Sequence, residues 1–130
     1  MTREDKKRKL EHYRYILLDL EDLSDRYAIE FAKATRVVSS SDGMPHGNEM
    51  TSKVERESAK LADIRRKIEK RMVDKLTIEN AVARLPFTER QYVEFISLKG
   101  YSIQQASREF HRGYDAVKKG YYRGIDRLVL

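Results

Sequence analysis

The stretch Tyr101-Ser102-Ile103-Gln104-Gln105-Ala106-Ser107-Arg108-Glu109-Phe110-His111-Arg112-Gly113-Tyr114-Asp115-Ala116-Val117-Lys118-Lys119 decides how this chain folds. Serine followed three residues later by glutamine, Ser102 and Gln105, is the capping-box pattern. Each side chain there satisfies an amide that a helix start would otherwise leave without a partner. The spacing predicts a short helix from Ser102 to about Phe110, with Ile103, Ala106 and Phe110 on its buried face. His111-Arg112-Gly113 reads as a three-residue turn ending in glycine. A further helix runs from Tyr114 towards Leu128, burying Val117, Tyr121, Ile125 and Leu128. Ser107 is small where the two helices must approach closely. A short helix, a tight glycine-containing turn and a following helix together make a helix-turn-helix pattern.

Upstream, Thr88-Glu89-Arg90-Gln91 repeats the capping-box pattern and predicts a helix starting at Glu89 and stopped by Gly100, the usual residue at a helix C-terminus. Pro86 precedes it. Residues 85–130 therefore read as a three-helix domain. Counted from Arg84 to Leu130, this end of the chain holds five of the eight Tyr, three of the four Phe and four of the six Gly, and its nine basic and five acidic residues leave it at +4. The whole chain carries +6, so residues 1–83, with 34 charged side chains, contribute only +2. The basic excess sits on the helix-turn-helix pattern, which makes double-stranded DNA the expected partner.

The last helix is then the reader, with its N-terminal residues reaching base edges in the major groove. Tyr114, Asp115, Lys118, Lys119 and Tyr122 lie opposite Val117, Tyr121 and Leu128. Lysine can donate to guanine and aspartate can accept from cytosine. Arg112 and Arg123 are placed for phosphate contacts, which position without specifying. Gly120 and Gly124 fall inside this helix, each costing about 1 kcal/mol relative to alanine. Either they permit close packing against a helical hairpin formed by the first 84 residues, or the helix frays after Lys119.

The first 84 residues have a different character. Leu10, Tyr13, Leu17, Leu20, Ser24, Tyr27, Phe31, Ala34 and Val38 recur at alternating spacings of three and four, with Ile16 and Leu23 on one flank. Val54, Leu61, Ile64, Ile68, Met72 and Leu76 form a second stripe, opened by a capping box at Ser52–Glu55. Between the stripes, at about 38–51, lies a cluster of turn formers including Pro45. The expected fold is all-α: a long coiled-coil-like helical hairpin over 1–84, then the helix-turn-helix domain over 85–130. The same stripe would also serve a homo-oligomer, since either arrangement buries it.

Other classes find no support. Cys is absent, which excludes disulfide scaffolds, thiolate metal sites and cysteine nucleophiles. No apolar run approaches the roughly 20 residues of a membrane span, so no membrane partner and a cytoplasmic location are expected. His12, His46 and His111 stand in separate segments without metal-ligand spacing, so neither metal nor cofactor is expected. Carboxylates fall on charged helix faces beside basic residues, so no general acid–base pair emerges and an enzyme is not expected. The run Lys6-Lys7-Arg8-Lys9 reads as a solvated first turn or a frayed tail rather than a phosphate track.

Residues 88–128 resemble the helix-turn-helix of sigma-factor region 4, and nearly the whole chain resembles phage late-gene transcriptional activators of the RinA/ArpU type. The likeness rests on order and spacing. A helix around Tyr13-Arg14-Tyr15 leads to Ser39-Ser40-Ser41-Asp42-Gly43-Met44-Pro45-His46-Gly47, similar to that family's Met-Pro-(His)-Gly loop. A charged helix ending in Ile78-Glu79-Asn80-Ala81-Val82-Ala83-Arg84-Leu85 follows. Leu98-Lys99-Gly100-Tyr101-Ser102-Ile103-Gln104-Gln105-Ala106 is similar to the family's entry to the turn, and Val117 and Leu128 match later positions. The resemblance implies activation of late transcription in a phage or prophage together with bacterial RNA polymerase. It carries Ser102, Ile103, Ala106, Ser107, Phe110 and Val117 over as structural positions, and Tyr114, Asp115, Lys118 and Lys119 as the place of DNA contact. Gly113 departs from the serine cap usual there. Two other readings share these features: an adaptor that grips polymerase or another protein without touching DNA, and a DNA-packaging recognition subunit.

Overall fold

The computed structural model describes the backbone of residues 1–40 and 47–130 and the side chains of residues 1–36 and 53–130. Among the described residues every element is helical: α1 (Arg3–Ser40), α2 (Gly47–Ala83), α3 (Phe87–Val93), a π-helical segment (Glu94–Leu98), α4 (Ile103–Glu109) and α5 (Tyr114–Arg127). The centre of the turn cluster, 41–46 with Pro45 and His46, lies outside the described residues. The second helix starts at Gly47, ahead of the capping box at Ser52 that was expected to begin it. The chain forms two compact units, one of Leu18–Met72 and one combining Met1–Leu17 with Val73–Leu130.

In the unit Leu18–Met72, α1 and α2 run antiparallel within the one chain. Asp19 pairs with Arg71 at 3.0 Å, and Tyr27 accepts from Arg65 at 2.8 Å, so partners on α2 fall in number as those on α1 rise. The more buried side chains on α1 here are Leu20, Leu23, Tyr27, Glu30 and Ala34. Leu17, Ser24 and Phe31, expected on the seam, are exposed, whereas the flank residues Ile16 and Leu23 are buried. On α2 the stripe runs through Val54, Glu57, Leu61, Ile64 and Ile68 to Arg71. Met72 and Leu76 are 38% and 45% exposed and stand outside it. Both helices keep alternating spacings of three and four, with Glu30, Glu57 and Arg71 at partly buried positions; on α1 the inner positions 16, 23 and 30 fall one residue before the expected 17, 24 and 31. Exposed i, i+4 pairs such as Asp22–Arg26 and Asp63–Lys67 add a few tenths of a kcal/mol each.

In the other unit, Leu10 and Ile16 of α1 and Ile78, Ala81 and Val82 of α2 join Leu85, Tyr92, Val93, Ala106, Val117, Tyr121, Ile125 and Leu128 in the core. Tyr13 donates a 2.6 Å hydrogen bond to Glu79. Burial and that carboxylate push the Tyr13 phenol up to about 12, so it stays a donor at neutral pH. The start of α3 differs from expectation. It begins at Phe87 with Pro86 at the cap, and Arg90 donates its amide to the Pro86 carbonyl at 2.8 Å; Thr88 makes no cap hydrogen bond. Proline fixes φ and extends the chain just before the first helical turn, which places that start two residues early.

The helix after Pro86 ends in a wider π turn, with the Lys99 amide bonded to the Glu94 carbonyl at 2.9 Å. Ser97 on that turn is 2% exposed, and its hydroxyl and that of Tyr121 share a 2.6 Å hydrogen bond that satisfies both buried groups. Gly100 then takes φ 85°, the left-handed conformation that lets the chain leave the helix, as its position predicts. The Ser102 capping box forms as read: the Gln105 amide donates to Ser102 Oγ at 3.1 Å, and the Ser102 amide donates to Gln105 Oε1 at 2.8 Å.

Candidate nucleic-acid interface

The geometry that places α5 begins in the turn after α4. The Arg112 amide donates to the Ser107 carbonyl at 3.1 Å, and the Ser107 hydroxyl donates to the Arg112 carbonyl. Small Ser107 thus closes the turn on itself. The residue that takes the left-handed conformation is His111, at φ 52°; Gly113 has φ −62° and caps α5 without a side chain. A side chain with a Cβ costs roughly 1–2 kcal/mol in that conformation. His111→Gly is therefore expected to raise the melting temperature by a few degrees, checked by thermal unfolding monitored by circular dichroism.

α5 is continuous from Tyr114 to Arg127, so it does not fray after Lys119. Its glycines pack against α3 and not against the long helices of the expected hairpin, because α3 crosses α5 at these two positions. A Cβ on Gly120 would lie 2.6 Å from the Tyr92 ring, and one on Gly124 would lie 2.9 Å from Val93 and 3.1 Å from Glu89 Cβ. Tyr92 cannot yield, because its ring is 2% exposed and edge-on to Phe110 at 5.5 Å. Glu89, 5% exposed, accepts from Arg127 at 3.1 Å and lies 3.8 Å from Arg123. Val117, Gly120, Tyr121, Gly124 and Ile125 complete the buried face. Burial also raises the pKa of the Tyr121 phenol, which stays neutral.

The opposite face is open. Arg112 in the turn and Tyr114, Asp115, Lys118 and Lys119 in the first turns of α5 are all exposed. Among the described residues no carboxylate lies within ion-pair distance of Arg112, Lys118 or Lys119. Two residues of the expected set are engaged elsewhere. Arg123, exposed, points towards Glu89. Tyr122 is half-buried, with the Arg3 guanidinium 4.8 Å and the Lys7 ammonium 5.7 Å from its ring centroid.

Sequence reasoning missed the first turns of α1. They are neither frayed nor merely solvated. Arg3 donates to both Asp126 carboxylate oxygens, at 2.8 and 2.6 Å, and Lys6 donates to the Asp126 carbonyl at 3.0 Å. Hydrogen bonding to Arg3 holds the Asp126 carboxyl below its ordinary value. No local signal links residues 3 and 126, so only the fold could reveal the contact.

Among the described residues no group of three or more His, Asp or Glu could hold a metal ion, and no helix is long and apolar enough to cross a membrane. No family model matches the chain, and no curated protein or solved structure is significantly similar to it.

Proposed function

We propose that α4, the turn 110–113 and α5 form a helix-turn-helix that binds double-stranded DNA, with α5 in the major groove. On this reading the chain is a sequence-specific transcriptional regulator, not an enzyme. It works in the bacterial cytoplasm as a late-gene activator of the phage or prophage type, together with RNA polymerase. The observation that carries this is the division of α5 into a fully packed face and an open one. The open face begins directly after a capped helix and a tight turn, and its lysines have no carboxylate partner among the described residues. In that pose Tyr114, Asp115, Lys118 and Lys119 meet base edges, and Arg112 meets phosphate. Tyr122 and Arg123 border the contact: the first lies beneath two cations, and the second is shared with Glu89.

The test is a titration of the full chain onto duplex DNA at two salt concentrations. Neutralising about four phosphates should weaken binding by roughly 100-fold between about 50 and about 200 mM salt, because each contact releases counterion. Affinity that does not change with salt would overturn the proposal. Co-purification with polymerase in the absence of any DNA binding would favour the adaptor reading instead.

A further inference from the structure

The first two turns of α1 carry five basic residues, Arg3 and Lys6 to Lys9, and they are fixed in place rather than trailing. Three of them, Arg3, Lys6 and Lys7, meet one row of α5. Lys118, Tyr122 and Asp126 stand four residues apart, so they lie one above another along one face of that helix. α1 docks on the C-terminal two members of the row, Tyr122 and Asp126, and leaves Lys118 open.

Asp126 neutralises one cation, Arg3, and accepts from Lys6 through its backbone. Lys7 remains. Its ammonium lies against the Tyr122 ring, and among the described residues no carboxylate is within ion-pair distance of it, Glu4 and Glu11 on the adjoining turns included. An aromatic ring orients a cation without cancelling its charge. Lys7 is thus a pre-positioned charge beside Tyr122, the residue one helical turn along α5 from Lys118.

We propose that Lys7 extends the α5 contact into a second element, gripping a backbone phosphate of the same duplex beside the bases that α5 meets. This rests on the DNA-binding reading above. Lys7 faces the C-terminal half of α5, away from the residues placed at base edges, so it adds affinity that is independent of sequence. Lys9 provides the contrast. It has the same charge and helix but lines a groove with His12, Ile16 and Asp74 on another side of α1.

The experiment compares the salt dependence of duplex binding for the full-length wild type, Lys7→Ala, Lys7→Arg and Lys9→Ala. Loss of one phosphate contact lowers affinity about 5-fold at physiological salt and reduces the logarithmic salt slope by about 1. Lys7→Ala should show both, equally on preferred and unrelated duplexes. Lys7→Arg should restore both, and Lys9→Ala should match wild type. A wild-type slope in Lys7→Ala overturns the inference and leaves the DNA-binding reading standing. So does weaker binding with an unchanged slope, which would make Lys7 merely a packing partner of Tyr122. Absence of salt-dependent duplex binding in the wild type overturns both.

Discussion

Gly120→Val is expected to lower the melting temperature by about 10 °C. The added Cβ alone would lie 2.6 Å from the Tyr92 ring, a distance that real contacts do not reach. Relief by a shift of the ring is closed, because Tyr92 is packed edge-on against Phe110, whose other neighbour is Phe95 at 5.4 Å. α5 must therefore move away from α3. Overpacking of this kind costs roughly 1–3 kcal/mol, and the bulk of valine places it at the upper end, about 3 kcal/mol. For a domain of this size that corresponds to several degrees per kcal/mol. The better helix propensity of a non-glycine residue offsets less than about 1 kcal/mol. Gly113→Ser provides the matched control. Nothing lies within 4 Å of a Cβ there, and the backbone is already extended as an N-cap requires. Serine should stabilise by a few tenths of a kcal/mol. Thermal melts of the two variants beside wild type check both signs.

On the proposed DNA-binding reading, the Lys118→Ala, Lys119→Ala double variant is expected to lose about 100-fold in DNA affinity while melting like wild type. Both side chains are exposed and neither takes part in the core, so alanine, a strong helix former, leaves α5 intact. In the proposed pose each lysine would contribute about 1–2 kcal/mol at a base edge or phosphate, the usual range for such contacts. Fluorescence anisotropy with labelled duplex reads the affinity, and circular dichroism reads the fold. Undiminished binding with an intact fold would place the DNA on a different face.

Much of the C-terminal half is legible in the residues because its signals are local. Ser102 and Gln105 form their capping box within four positions of one another. The 3.6-residue period that put Ala106, Val117, Tyr121, Ile125 and Leu128 inside also put Tyr114, Asp115, Lys118 and Lys119 outside. The long helices were harder to read, since burial there is not confined to apolar residues. Glu30, Glu57 and Arg71 take partly buried positions, so an apolar search selects their neighbours Phe31 and Met72 instead. Pro86 overrode the Thr88 capping signal through backbone geometry alone. The glycine contacts with Tyr92 and Val93, and the clamp between Arg3 and Asp126, join residues far apart in the chain. Periodicity carries no information about such pairs.

Selection of duplexes from a random-sequence library by the full-length protein, followed by methylation protection of guanine N7 on the enriched sequence, bears most directly on the proposed major-groove contact. N7 faces the major groove. The expected result is an enriched motif whose guanines are shielded by wild type and left reactive by the Lys118→Ala, Lys119→Ala variant. No enrichment, or a bound motif whose guanines react as freely as in naked DNA, would contradict it.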